Sequence, residues 1–201
     1  MARTSIDLCN AALSKIGANA ISSLTDVTRE AEACAAEYEL AVGAALTTPG
    51  GAPFRWSFAS RQVSLAALSD TPAARWAKAW QLPDGCLAVH AITANDALIP
   101  FDLYGDGKVF TDDHDAVVCD HTYRVEEALW PGFFADCFAS DLATRLALIL
   151  NENAGLAQTI GKTIGWAGAR AADSQQRTAQ RLRATRLIAG RFGGRYGRWA
   201  R

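Results

Sequence analysis

The stretch PGFFADCFASDLATRLALILNENAGLAQTIGKTIGWAGARAAD, residues 131–173, decides the fold predicted for this chain. Apolar side chains recur every three or four residues from Phe134 to Leu150, which is the spacing of one buried helix face. The segment Asn-Ala-Gly at 153–155 is a tight connection, so the next residues are expected to return as an antiparallel helix. The stripe of that second helix would be Leu156, Ile160, Ile164, Ala167 and Ala171. The pattern predicts a long C-terminal helical hairpin.

Beyond the hairpin, the chain becomes basic. Asp173 is the last acidic residue, and residues 174–201, which we call the C-terminal arm, contain eight arginines. The first part of the arm is polar nearly all round, which is typical of a helix that is exposed or docked on a partner. The end, RFGGRYGRW at 191–199, interleaves cations with aromatic rings and glycine. Guanidinium groups pair with phosphates or carboxylates, and rings stack on bases or enter pockets. Three interpretations stay open: a solubilising tail, an anchoring arm for a protein partner, and a nucleic-acid contact.

The candidate partner-binding residues all lie in this arm. They are Arg177, Arg181, Arg183, Arg186, Arg191, Phe192, Arg195, Tyr196 and Trp199.

The first half of the chain is predicted to be helical. A helix over 4–16 begins with a capping box formed by Thr4 and Asp7 and ends at Gly17. A second helix, capped by Thr25 or Asp26, runs to about Leu46. The glycine- and proline-rich break at 47–53 follows, and residues 56–80 are expected to form a short helix or extended link and then a helical turn.

In residues 86–126 the helical spacing of apolar residues gives way to short runs rich in Val, Ile, Phe and Tyr. These runs predict a small antiparallel sheet of about four or five strands. The predicted fold class is therefore α+β: a mainly α-helical bundle with an inserted small antiparallel β subdomain and a long C-terminal helical hairpin. The predicted divisions are 1–85 for the N-terminal helical part, 86–128 for the β subdomain, 129–190 for the hairpin, and 191–201 for the basic aromatic tail.

Composition excludes little. The 201 residues are 50% hydrophobic and 20% charged, with a net charge of -1, so bulk charge does not indicate a nucleic-acid partner. Five scattered cysteines without a C-x-x-C pair are interpreted as reduced and mostly buried. There is no apolar run of signal-peptide or membrane-span length, which predicts a soluble protein made in a cytoplasm.

No residue pattern indicates catalysis, and no cofactor or metal is predicted. His90, His114 and His121 are isolated, and residues 112–115 (DDHD) lack the spacing of a calcium loop. Neither a G-x-S-x-G elbow nor a phosphate-binding loop occurs. Carboxylates that are distant in sequence could still converge as a glycosidase pair, so a cell-wall hydrolase stays an alternative.

Five motifs occur in a fixed order: N-A-A-L-x-x-I-G at 10–17, S-L-x-D at 23–26, a cysteine and tyrosine at Cys34 and Tyr38, W-S-F-A at 56–59, and W-Q-L-P-D-G-C-L at 80–87. Together they resemble the tail tubular protein A family of short-tailed bacteriophages, the head-to-tail adaptors, over residues 4–188. The chain departs from the family pattern at Trp80, where a tyrosine is more usual, and at Gly85, which is an insertion. The arm after residue 190 has no counterpart in this resemblance.

The resemblance implies a non-catalytic virion component at the head-tail interface. Such a protein forms a ring, usually a dodecamer, that joins the portal to the tail nozzle protein (tail tubular protein B-like). The ring lines the channel through which double-stranded DNA leaves, and no membrane is involved. The arm arginines would then pair with portal carboxylates. The alternative from another class is a nucleic-acid-binding module that uses the arm on phosphates.

Overall fold

The computed structural model describes residues 3–69, 72 and 75–176. In chain order the helices and strands are α1 (Ser5–Lys15), α2 (Arg29–Thr47), β1 (Ser60–Ser64), β2 (Ala66–Ala67), β3 (Lys78–Gln81), β4 (Cys86–Ala94), β5 (Ala97–Leu98), β6 (Phe101–Tyr104), β7 (Lys108–Thr111), β8 (Val118–Tyr123), α3 (Gly132–Asn151), α4 (Ala154–Thr163) and α5 (Trp166–Ser174). Within these residues no helix is both long and apolar enough to cross a bilayer.

The fold is α+β with two four-stranded antiparallel sheets in the described part of the chain. The prediction of a mainly helical bundle with a small inserted β subdomain is wrong, because strands begin at Ser60. Val63 and Leu65 alternate with polar neighbours, and this two-residue period extends the sheets back into the expected link. Trp76 and Trp80 are four residues apart, a spacing that is also typical of one helix face, but Trp80 lies in β3.

The two sheets are joined at both lateral edges. Their strand orders are β1-β8-β4-β5 and β2-β3-β7-β6. Only Leu65 separates β1 from β2, and only residues 99 and 100 separate β5 from β6, so the outer strands bend from one sheet into the other. The Leu65 amide donates to the Val117 carbonyl, and the Ile99 amide donates to the Ile92 carbonyl. The bent outer strands therefore connect the two sheets around one apolar core, and we call this part of the molecule the barrel.

Two apolar cores result. The barrel core contains Trp80, Ile92, Val109 and Cys119 from both sheets. The larger core lies among the helices and also includes Trp56, Val125 and Trp130 from the segments that enter and leave the barrel. The barrel is thus tied to the helical part through both of its connections.

The N-terminal helices agree with the sequence except at one cap. Thr4 and Asp7 form the expected capping box, and Gly17 has a left-handed φ of 71°. The second helix is capped by Thr28, not by Thr25 or Asp26. The Asp26 carboxylate instead accepts from the amides of Ser22 and Ser23, both at 2.9 Å, and shapes the preceding turn.

The prediction of one long helical hairpin is also wrong. The α4 helix ends at Thr163, and a new helix, α5, begins at Trp166 after Gly165. The break changes the helical phase, so α5 buries Trp166, Ala169 and Asp173, while Ala167 and Ala171 are exposed. The backbone leaves the helical conformation at Ile164, which is extended, with φ -65° and ψ 117°.

Candidate partner-binding site

The histidines have structural surroundings. His90 Nε2 lies 2.7 Å from the Thr122 hydroxyl on the neighbouring strand. His121 is 1% exposed, and its Nδ1 has no hydrogen-bond partner among the described residues. The His114 carbonyl accepts from Lys78 Nζ at 2.7 Å. The three rings are not gathered at one place by any described contact.

The acidic loop at 112–115 is held by a lysine. Lys78 Nζ lies 2.7 Å from Asp113 Oδ1 and 3.8 Å from Asp115 Oδ1. The hydrogen bond to Lys78 lowers the pKa of Asp113, because it stabilises the charged carboxylate. Within the described residues no group of three or more His, Cys, Asp or Glu side chains is arranged to hold a metal ion. The loop joins β7 of one sheet to β8 of the other, and Lys78 of β3 holds it in place.

The residues predicted to bind a partner lie outside the described residues. This applies to the whole set, Arg177, Arg181, Arg183, Arg186, Arg191, Phe192, Arg195, Tyr196 and Trp199. Their role stays a prediction. The structure does describe the point from which the arm leaves the body, since α5 ends at Ser174.

That point is fixed by a buried carboxylate. Asp173 is completely buried, and its oxygens accept from the Ser57 amide at 3.0 Å each and from the Ser57 hydroxyl at 2.5 Å. A carboxylate that loses its water needs such donors, and bonds to a charged group are the stronger kind. In the sequence Asp173 is recognisable only as the last acidic residue, and no pattern predicts its pairing with Ser57.

The residues next to Ser57 form the centre of the helical core. Trp56 is fully buried, and its indole donates to the Ala45 carbonyl of α2 at 2.9 Å. Its ring centroid lies 5.1 Å from that of Phe134 and 6.1 Å from that of Trp166. The W-S-F-A motif therefore joins α2, α3 and α5, and it does so beside the root of the arm.

A charged network joins α2 to the exit of the barrel. Arg124 Nη2 lies 3.0 Å from Glu39 and 2.6 Å from Glu127, and the Tyr38 hydroxyl donates to Glu127 at 3.0 Å. Burial raises the pKa of Tyr38, and the negative charge of Glu127 raises it further. Burial also opposes the charged form of Glu127, but the hydrogen bond and the charge of Arg124, together with smaller contributions that include the Tyr38 hydrogen bond, outweigh it and lower that pKa. The tyrosine therefore acts as a neutral donor to an ionised glutamate.

Isolated apolar side chains project from both parts of the molecule. On the helical part, Val27 is 96% exposed and Leu40 is 66% exposed; on the barrel, Leu98 is 76% exposed. The turn that carries Val27 is held by the Asp26 carboxylate, so its position is defined. Single exposed apolar residues of this kind are normal on a protein surface, so they do not by themselves mark an interface.

Charge is divided between body and arm. Eight arginines and no acid follow Asp173, so the arm carries a formal charge of +8. Because the whole chain carries -1, residues 1–173 carry -9. An acidic body with a basic arm favours oriented contacts with other molecules.

Comparison of the whole chain with protein-family models gives no match, and a search of curated proteins gives no match either.

Proposed function

We propose that the protein is a structural head-to-tail adaptor of a phage virion. In this role it forms a ring that joins the portal to the tail nozzle and lines the DNA ejection channel. The proposal starts from the ordered motifs that resemble the tail tubular protein A family. The observation that best supports it is the Asp173–Ser57 contact, which anchors the start of the arm on the body. An arm that docks on a partner needs such a fixed origin to have a defined direction.

The functions of the motif residues within the body support a structural role. Asn10 accepts from the Ile21 amide at 2.8 Å and donates to the Ile21 carbonyl at 3.0 Å, which fixes the link after α1. Asp26 shapes the turn before α2, and Trp56 joins three helices. Trp80 fills the barrel and donates to the Thr111 hydroxyl at 2.9 Å. Each motif has a task in holding the shape of the subunit.

Ring formation is consistent with unlike surfaces on one subunit. A head-to-tail contact joins two different patches, and it closes into a ring when the rotation between neighbours allows. The helical part and the barrel, each with its own apolar core, give one subunit two such different surfaces. The proposed partners are further copies of this chain, twelve per ring as the resemblance implies, together with the portal, the nozzle protein and the passing DNA.

The proposal is tested with purified portal rings. Full-length protein is expected to add a ring of density below the portal in negative-stain images. A chain that ends at Gln176 keeps Asp173 and its hydrogen bonds, so it should stay folded but lose the portal complex. Normal assembly by the shortened chain would contradict the docking function of the arm, and no complex with the full-length chain would contradict the adaptor function.

Binding of the full-length protein to free DNA tests the alternative function, a nucleic-acid-binding module. A module that binds phosphates through the arm would bind free DNA, with an affinity that falls steeply as salt is added. A channel subunit should bind free DNA weakly, because tight binding would hinder passage. Salt-dependent DNA binding without portal binding would favour the alternative.

A further inference from the structure

The outer face of the β2-β3-β7-β6 sheet is defined by its strand register. Trp80 of β3 and Val109 of β7 are paired and belong to the barrel core. Successive residues of a strand alternate between the two faces of a sheet, so the residues on either side of this pair point outwards. The outward positions of β3, β6 and β7 are Ala79, Gln81, Asp102, Tyr104, Lys108 and Phe110. The helical part contacts the other sheet, at β4.

Aromatic side chains gather on this outer face, which we call the aromatic face. The ring centroids of Tyr104 and Phe110 are 4.5 Å apart, and Tyr104 is 46% exposed. Trp76, just before β3, reaches the same face, since its Nε1 donates to Asp102 Oδ2 at 2.9 Å. The solvent side of an antiparallel sheet is usually polar, so these rings form an apolar surface where polar residues are expected.

The charged groups of the aromatic face are balanced. Asp102 Oδ2 lies 3.8 Å from Arg75 Nη2. Asp106, in the turn after β6, lies 3.0 Å from Lys108 Nζ. Two carboxylates and two cations leave no net charge, so this face does not attract a polyanion or a polycation by charge alone. The ligand that suits it is neutral and carries both hydrogen-bond donors and acceptors.

We propose that the aromatic face binds a neutral oligosaccharide. One side of a pyranose ring is a layer of C–H groups, which packs on the exposed Tyr104 ring, and sugar hydroxyls donate to Asp102 and accept from Lys108. Asp102 and Tyr104 are two residues apart on β6, or about 7 Å, and Lys108 lies opposite Tyr104 on β7. Two or three sugar units therefore reach all three side chains. This inference goes beyond the adaptor function and does not depend on it, because it concerns the barrel and not the arm.

Isothermal titration calorimetry of the full-length protein tests the proposal with three neutral probes: cellohexaose, maltohexaose and hexa-N-acetylchitohexaose. At least one of them is expected to bind saturably. Sorbitol has the hydroxyl groups of a sugar but no ring, so it should give no saturable heat. Hexa-arginine is titrated as well, because a cationic peptide is the other ligand class that stacks on an aromatic ring.

Variants test which side chains hold the sugar. Tyr104→Ala should weaken binding about tenfold, because the stacking ring is lost, whereas Tyr104→Phe should keep the affinity within about twofold. Asp102→Asn should weaken binding about fivefold, because a neutral amide replaces an ionised acceptor. Leu98→Ala, at an exposed position of the other sheet, is the matched control and should leave the affinity unchanged.

Circular dichroism checks that each variant is folded, and Asp102→Asn, which keeps the shape of its side chain, decides the outcome if Tyr104→Ala is unfolded. The proposal is overturned by the absence of saturable binding of all three hexasaccharides. It is equally overturned if Tyr104→Ala or Asp102→Asn binds as tightly as Leu98→Ala. Binding of hexa-arginine that needs Tyr104, without binding of any hexasaccharide, would assign the aromatic face to a cationic peptide instead.

Discussion

Asp173 and Ser57 are 116 residues apart in sequence and are joined by three hydrogen bonds. The Ser57 hydroxyl lies 2.5 Å from Asp173 Oδ1, and the Ser57 amide lies 3.0 Å from each carboxylate oxygen. Ser57 follows the central tryptophan of the helical core, and Asp173 is in the last turn of α5. One contact thus attaches the start of the arm to the junction between the helices and the barrel.

Removing the serine hydroxyl should destabilise the protein. Ser57→Ala leaves the buried carboxylate with one donor group fewer, and the expected loss is about 1–3 kcal/mol in the free energy of unfolding. Urea unfolding followed by circular dichroism measures it. Ser174→Ala is the matched control, because the Ser174 hydroxyl is exposed and bonds only within its own helix. Equal stabilities of the two variants would show that the contact contributes little.

Alanine substitutions at the two adjacent glycines of the turn after α2 should differ in their effect on stability. Gly50 and Gly51 both have left-handed φ values, 66° and 82°, which cost an L-residue roughly 1–2 kcal/mol. A Cβ on Gly50 would also be 3.3 Å from Trp166, whereas one on Gly51 would meet nothing within 4 Å. Gly50→Ala is therefore expected to lower the midpoint of urea unfolding more than Gly51→Ala does. The reverse order would mean that the Trp166 ring does not pack as described.

Loss of the Arg124–Glu127 pair should lower the stability of the protein at acid pH. The pKa of Glu127 is lowered in the folded state, so its contribution is complete above the unfolded-state value near 4.5 and is lost as pH falls through the lower folded value. Glu127→Gln should reduce stability at neutral pH and reduce the loss of stability on acidification. Unfolding measured at a series of pH values down to acid conditions tests this. Glu152→Gln, which makes the same substitution at an exposed helix end, is the matched control, and an equal effect of the two variants would contradict the prediction.

The position of truncation should matter for folding. A chain ending at Gln176 retains Asp173 and the cap of α5, so its unfolding free energy should change by less than about 0.5 kcal/mol. A chain ending at Asp173 lacks Gln175, whose amide donates to the Ala171 carbonyl. It also places a terminal carboxylate beside the buried side-chain carboxylate, and the repulsion should lower its stability. Thermal unfolding of the two proteins compares them directly, and equal midpoints would contradict a structural function for the end of α5.

The elements with local signals were predicted well, and those set by distant partners were not. Thr4 and Asp7 are three residues apart and form their capping box within one turn, so the sequence predicts it. The strands before Gly85 were missed because β1 is stabilised by pairing with β8, about sixty residues later. Four of the five cysteines are buried and none forms a disulfide, as their scattered spacing predicts. The candidate arm residues lie beyond the described range, and their function stays a prediction.

The sequence by itself determined the first helix and its cap, the apolar face of α3, and the separation of a basic arm from an acidic body. These features depend on neighbouring residues or on composition, which a linear chain displays directly. Only the tertiary structure decided that the two sheets are connected around one apolar core, that α5 breaks away at Gly165, and that Asp173 is held by Ser57. Each of these depends on groups that are distant in sequence, because strand pairing and the burial of a carboxylate require partners that only folding brings together.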